Sequence, residues 1–330
     1  MIQGYWSNPI HYDNGYTPAV AGVEKTNVVI EMHSGAGNTG GLWYHVATVN
    51  VGNKSINWGP GTQWMRDSSL SGVDPVVAVS EGNVVAEVHS VCGSGSSAEN
   101  GPIWTTIGIA DTASNSIAWG SSTEIEDHCY NPSITISRDG KTAVVAYQLG
   151  NDGPDLYYRV GAVDAINKSV SWGPRYLFAN GTYASIAMND LGGMIAVFNS
   201  WQENTGYWYM VGSLEAASGT ISWGGIHSFD NAELGGKVAM GNWSNVQPLG
   251  SYIITVFPGP KLNNTLWLRQ AQGPDLSFPH PASWCAYWDP DAQYQTGVEP
   301  GVAIVYQGHQ LEVHRSQDID IARKLWYELF

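Results

Sequence analysis

The sequence predicts an all-β chain, folded as a six-bladed β-propeller of four-stranded antiparallel blades. Three observations carry that expectation. A Trp-Gly element recurs at near-regular intervals. Short apolar runs and turn residues fill the space between its copies. The two chain ends each carry part of a repeat. Composition agrees: of 330 residues only 13% are charged, and 39 Gly and 16 Pro accompany 15 Trp and 17 Tyr. Such a chain is too apolar and aromatic for disorder, and too poor in helix formers for a helical bundle.

The repeat can be followed element by element. Its outer strand reads apolar-x-Trp-Gly at Ile56–Gly59, Ile117–Gly120, Val170–Gly173 and Ile221–Gly224, with weaker copies at Trp6-Ser7 and Trp288-Asp289. Trp positions 6, 58, 119, 172, 223 and 288 are spaced by 52, 61, 53, 51 and 65 residues. An aromatic follows six residues later at Tyr12, Trp64, Phe178, Phe229 and Tyr294, with Ile125 as the exception. Pro then opens a small, apolar first strand at Pro18, Pro75, Pro132 and Pro300. A second strand follows, as in Val28–His33 and Val84–His89, then a polar, Gly-rich loop. The third strand carries Leu42-Trp43-Tyr44, Leu156-Tyr157-Tyr158, Tyr207-Trp208-Tyr209, Leu266-Trp267 and Leu325-Trp326-Tyr327. Strands this short, separated by turn chemistry, leave no room for helices. The last repeat stops after its third strand and the chain opens on an orphan fourth. Residues 1–10 are therefore expected to complete the C-terminal blade, which removes exposed sheet edges and makes residues 1–330 one domain.

Charge and motifs exclude several functions. A net charge of −15 argues against nucleic-acid binding, which needs clustered cations. No apolar run is long enough to span a membrane. No basic-then-apolar leader precedes Tyr5, so the expected location is the cytoplasm. Cys92, Cys129 and Cys285 are odd in number and far apart, which speaks against a disulfide framework. Ser137–Thr142 superficially resembles the Asp-box of sialidases but lacks its Trp, and reads as an Asp-Gly hairpin turn. No cofactor motif is present. One His per repeat at ring spacing gives no reason to expect a metal.

The candidate site residues come from one pattern. Glu31-x-His33, Glu87-x-His89 and Glu312-x-His314 end the second strand in three repeats that are consecutive around a closed ring. A spacing of two puts both side chains of a pair on one strand face. The other repeats are aligned as Ala146/Gln148, Val197/Asn199 and, approximately, Thr255/Phe257. A buried Glu-His pair can serve as a polar strut. Alternatively, Glu accepts from ligand hydroxyls and His donates or stacks, with loop aromatics Tyr12, Trp64 and Tyr294 covering the apolar face of a sugar.

Taken together, Pro-x-Val-Ala, Val-Val-x-Glu-x-His, Leu-Trp-Tyr and Ile-x-Trp-Gly in residues 18–59 resemble the repeats of fungal and bacterial propeller proteins, some of which look like lectins. The resemblance covers nearly the whole chain. It lacks the Arg/Glu/Trp constellation of the fucose-binding propellers and the Asp-rich calcium loops of others. It implies a carbohydrate-binding protein with repeated sites on or between blades, with avidity arising from repetition. The alternative is an enzyme with one active site in the funnel at the channel mouth, acting on a small, partly apolar substrate by cyclisation or acid/base chemistry. Expected partners are glycans or a small-molecule ligand, and homo-oligomerisation stays open.

Overall fold

A computed structural model of the protein describes residues 8–35, 41–65, 70–93, 101–150, 154–200, 206–230, 236–242, 251–258, 265–272, 287–288, 292–296, 298–316 and 324–329. Trp6 and Cys285, and the side chains of Cys92, Phe229, Trp288 and Tyr294, lie outside the described residues. Cys129 is a buried free thiol.

The described residues form antiparallel strands and a single 3₁₀ turn at Tyr306–Gly308. No helix among them is long and apolar enough to cross a membrane. The first group is β1 (Ile10–Gly22), β2 (Val28–Gly35), β3 (Leu42–Asn50), β4 (Ser55–Trp58) and β5 (Thr62–Gln63). Next come β6 (Leu70–Val79), β7 (Val84–Gly93), β8 (Gly101–Asp111) and β9 (Ser116–Trp119). Then follow β10 (Thr123–Ile136), β11 (Thr142–Leu149), β12 (Asp155–Asp164) and β13 (Ser169–Trp172). After these are β14 (Tyr176–Met188), β15 (Gly193–Ser200), β16 (Tyr207–Glu215) and β17 (Thr220–Asp230). The remainder are β18 (Lys237–Asn242), β19 (Ser251–Pro258), β20 (Thr265–Gln272), β21 (Tyr287–Trp288), β22 (Ala292–Thr296), β23 (Val298–Val305), β24 (His309–Arg315) and β25 (Lys324–Leu329).

One meander recurs: a first strand pairs a second, the second a third, and the third an outer strand that carries the Trp. Units take the name of their first strand. Long strands serve two units. The start of β10 pairs β8, and its end pairs β11. In the same way β14 pairs first β12 and then β15. Likewise β1 pairs β25 through Ile10–Asn14 and β2 through Gly15–Gly22. First strands also touch one another in the order β1, β6, β10, β14, β18, β23 and back to β1.

Second strands are buried on both faces. Val28 to His33 are all buried, as expected for a short apolar run bounded by turns. The apolar clusters lie between neighbouring units. Val20, Val29, Ala47 and Ile56 pack on Val305, Leu311, Val313 and Leu329. On the opposite face of the same unit, Ile30, Met32 and Val46 pack on Val77, Val79 and Val85. Similar clusters join β10 to β14 and β18 to β23.

Two repeated contacts sew these faces together. The Tyr hydroxyl of the third strand accepts the backbone N–H of the outer strand in the following unit. Tyr44 accepts from Ile117 at 3.3 Å, and Tyr158 from Ile221 at 3.0 Å. Tyr327, near the end of the described chain, accepts from Ile56 at 3.3 Å. The aromatic six residues past Trp stacks on the Trp of the following unit: Tyr12 on Trp58 at 4.6 Å, Trp64 on Trp119 at 4.6 Å and Phe178 on Trp223 at 5.4 Å. Ile125 fills the same place beside Trp172. At two of the Trp-Gly copies the same approach also requires the Gly. A Cβ on Gly120 would strike the Lys168 carbonyl, and one on Gly59 would meet Asn115 at 2.7 Å.

Tyr44→Phe and Tyr327→Phe each strand a buried backbone N–H. Each is expected to cost about 1–3 kcal/mol, measurable by denaturant unfolding, and equal losses mark equivalent junctions.

Candidate functional site

A β-bulge opens the first strand of five units. Two residues there face one on the second strand, at 17–18, 74–75, 131–132, 183–184 and 299–300. The leading residues Thr17, Asp74, Asn131, Tyr183 and Glu299 all have φ between 46° and 55°. Four are followed by Pro, which lacks the N–H that a ladder needs and fits at a bulge. The bulges re-aim unlike side chains around one end of the first strands. Thr17 N–H donates to Glu299 Oε2 at 2.8 Å, linking two bulges. Arg315 grips Glu299 with Nε at 2.8 Å and Nη2 at 2.7 Å and lies over the Tyr16 ring. Burial pushes the Asp74 carboxyl above its ordinary range, Lys237 opposes that, and Glu299 adds to it. Burial likewise pushes the Lys237 ammonium down against the pull of Asp74. Asp74 of the β6 unit is thus influenced across the end of the first strands by Lys237 of the β18 unit and Glu299 of the β23 unit. Sequence reasoning missed this group. The signal for Asp74 and Glu299 was their place before a repeated Pro, whereas Lys237 carried none.

The three Glu-x-His pairs lie elsewhere. All six side chains are buried, between 0% and 3% exposed. Each His Nδ1 bonds its own Glu: His33 to Glu31 at 3.1 Å, His89 to Glu87 at 2.8 Å and His314 to Glu312 at 2.9 Å. Glu87 Oε2 and Glu312 Oε1 have no further partner among the described residues. A glycan hydroxyl cannot reach these carboxylates without opening the sheet stack, so the strut reading fits their placement better than direct ligand contact. Register also corrects the sequence alignment by one residue in two repeats. Glu31 pairs His45, as Val145 pairs Arg159 and Ala196 pairs Met210. The equivalents are therefore Val145/Tyr147 and Ala196/Phe198, while Thr255/Phe257 stands. A slip of one would have put them on the opposite face. His33, His89, Tyr147, Phe198 and His314 thus all face a bulge, and the His is the polar version of a position that takes a ring.

Tyr12 and Trp64 are engaged at the junctions between units, Tyr12 from within a strand and Trp64 from the loop just after β5. Tyr12 lies in β1, and both rings are consumed by stacking on the next unit's Trp. The reason is that the outer strand resumes after Trp-Gly and turns the sixth residue inward. Tyr12 also donates to Glu31 Oε1 at 3.1 Å, and Trp64 meets His89 edge-on at 5.9 Å.

A junction position follows one residue later. Asp13 pairs Leu325 as Glu126 pairs Ile103 and Ala179 pairs Leu156, and each faces the next unit. In the β14 unit it is apolar, with Ala179 against Phe198 and Met210. In the β10 unit Glu126 Oε2 accepts from Arg159 at 2.7 Å and from Tyr147 at 3.3 Å, and Arg159 also reaches the Gly173 carbonyl. In the β1 unit Asp13 meets His33 and His45. His45 Nε2 lies 2.7 Å from Asp13 Oδ2, and His33 Nε2 3.8 Å from it. His45 Nδ1 donates to the Gly59 carbonyl at 2.8 Å. Burial pulls the His45 pKa down, but Asp13, Glu31 and Gly59 together raise it. Burial pushes the Asp13 carboxyl up, but its hydrogen bonds, led by that from His45, bring it below its ordinary range. Two imidazoles therefore do converge, within one unit rather than around the ring.

The opposite end of the first strands is closed by ion pairs between turns. Arg138 holds Glu81 at 2.7 Å and Asp190 at 2.8 Å, beside a cleft of about 580 Å³. The Ser137–Thr142 segment is the hairpin turn between β10 and β11, with Gly140 at φ 72°.

Solved structures share this fold. The leech intramolecular trans-sialidase matches with a TM-score of 0.65 at 10% identity, over 100% of this chain and 70% of its own. The NanB sialidase from Streptococcus pneumoniae matches at 0.60 and 9% identity, over 98% and 70%. The Penicillium chrysogenum α-L-arabinanase matches at 0.61 and 7% identity, over 99% and 98%. No protein-family model and no curated protein matches the sequence. The fold is therefore that of the all-β propellers to which these glycan-processing enzymes belong.

His314 carries a pH prediction. Burial lowers its pKa, but Glu312 and then Glu328 raise it above the ordinary histidine value. Its contribution to stability is complete below its unfolded pKa and is lost as pH rises through the folded one. The stability difference between the wild type and His314→Gln should shrink from mildly acidic to alkaline pH in urea unfolding.

Proposed function

We propose that the chain is a six-bladed propeller that acts on a carbohydrate at one mouth of its central channel, with Asp74 as proton donor. One observation carries the reading: equivalent bulge positions present unlike side chains, among them two carboxylates, at one end of the first strands. A single site needs unlike blades. Ring closure is supported by β1 pairing β25 and by the Tyr327 contact, which repeats the Tyr44 one.

Glycoside cleavage needs one carboxyl that is protonated and one that is ionised. Asp74, raised by burial, suits the acid. Glu299, tied to Arg315 and to Thr17 N–H, offers a held carboxylate. The glycan-processing neighbours support the substrate class. The test is a panel of fluorogenic sialosides, arabinofuranosides and galactosides. Turnover of one class is expected, with Asp74→Asn slowing it about 100-fold or more while the fold persists. No binding and no turnover of any glycan would overturn the proposal.

The lectin reading, with binding and no turnover, is favoured by Tyr183. It stands 41% exposed among the bulge residues, where a ring can stack on a sugar. Calorimetry separates the forms. One glycan per chain, weakened by Tyr183→Ala, marks a channel-mouth site. Three per chain would return the Glu31, Glu87 and Glu312 pairs to consideration.

A further inference from the structure

We propose that Asp13, His33 and His45 form a binding site for one divalent transition-metal ion of the zinc type. The argument rests on placement. The three ligand atoms lie within 4.8 Å of one another. The imidazoles are 2% and 5% exposed and the carboxylate 29%, so the cluster is walled by protein and open on one side. Each imidazole has Nδ1 engaged, His33 by Glu31 and His45 by the Gly59 carbonyl, and turns Nε2 toward Asp13. Metal-binding histidines are oriented by such outer contacts.

The site is also a departure from its own equivalents. At the same three positions the β10 unit holds Glu126, Tyr147 and Arg159, a saturated ion pair. The β14 unit holds Ala179, Phe198 and Met210. Junction packing thus requires neither imidazole. Only the β1 unit, among those whose junction side chains are described, brings two imidazoles and a carboxylate together. Zinc bonds N and O at about 2.0–2.2 Å and favours four ligands, so Asp13 and His45 would part slightly and one position would remain for water. Gly61 leaves room for this, since a Cβ there would meet Asp13 Oδ2 at 3.1 Å and His45 Nε2 at 3.3 Å. The ion would clamp the segment of β1 that pairs with β25 onto β2 and β3.

The experiment uses untagged, chelator-treated full-length protein with zinc and cobalt. One equivalent is expected by equilibrium dialysis, with a tetrahedral cobalt absorption band and a rise in melting temperature. His89→Gln should retain binding. Glu31→Gln should weaken it about 10–100-fold. His33→Tyr with His45→Arg installs the β10-unit set. It should keep the fold by circular dichroism and lose the metal. Binding that survives in this double variant, or no binding by the wild type above its level, overturns the proposal.

Discussion

Contact between neighbouring units is the constraint on which the rest of the molecule depends. A four-stranded sheet with apolar residues on both faces has no stable existence alone. Its faces are covered only by the sheets before and after it. The Trp of the outer strand, the aromatic stacked on it from the previous unit and the Tyr hydroxyl that accepts its backbone N–H make that contact directional. Apolar burial supplies most of the driving force, at roughly 25 cal/mol per Å². Stacking adds about 0.5–1.5 kcal/mol per pair, and the hydrogen bond fixes the angle and register.

Because the backbone geometry of the junction is repeated, its side chains can vary. Alanine, phenylalanine and methionine fill it in one unit, and a Glu-Arg-Tyr ion pair fills it in another. Aspartate and two histidines fill it in a third. Each set satisfies the same space by different chemistry. The buried Glu-His pairs belong to the same logic. The ring-bearing residue faces a bulge, and its glutamate is a polar partner that only some units keep. Buried polar groups persist where they are hydrogen-bonded, and most of these are.

The bulges do for the end of the fold what the junctions do for its sides. They hold residues in a left-handed backbone conformation that is uncommon outside glycine, at equivalent places. This turns side chains away from the sheet toward one another. Asp74, Lys237 and Glu299 interact there although long stretches of chain separate them.

Sequence alone determined the strand order of the repeat, its period and the identity of most residues that join units. Trp-Gly, the aromatic six residues on and Leu-Trp-Tyr were all legible, because alternation and turn residues act locally. Tyr12 was found but misjudged as a loop residue, since nothing local reveals that an outer strand resumes after Trp-Gly, while Trp64 does follow β5 in a loop and only packing shows its ring against Trp119. The alignment of Ala146/Gln148 was off by one because sequence carries no register. Only tertiary structure decided that the Glu-x-His pairs are buried, that Asp13 meets His33 and His45, and that Asp74 lies near Lys237 and Glu299. These groups come from different strands and different units, and it is packing, not spacing along the chain, that brings them within reach.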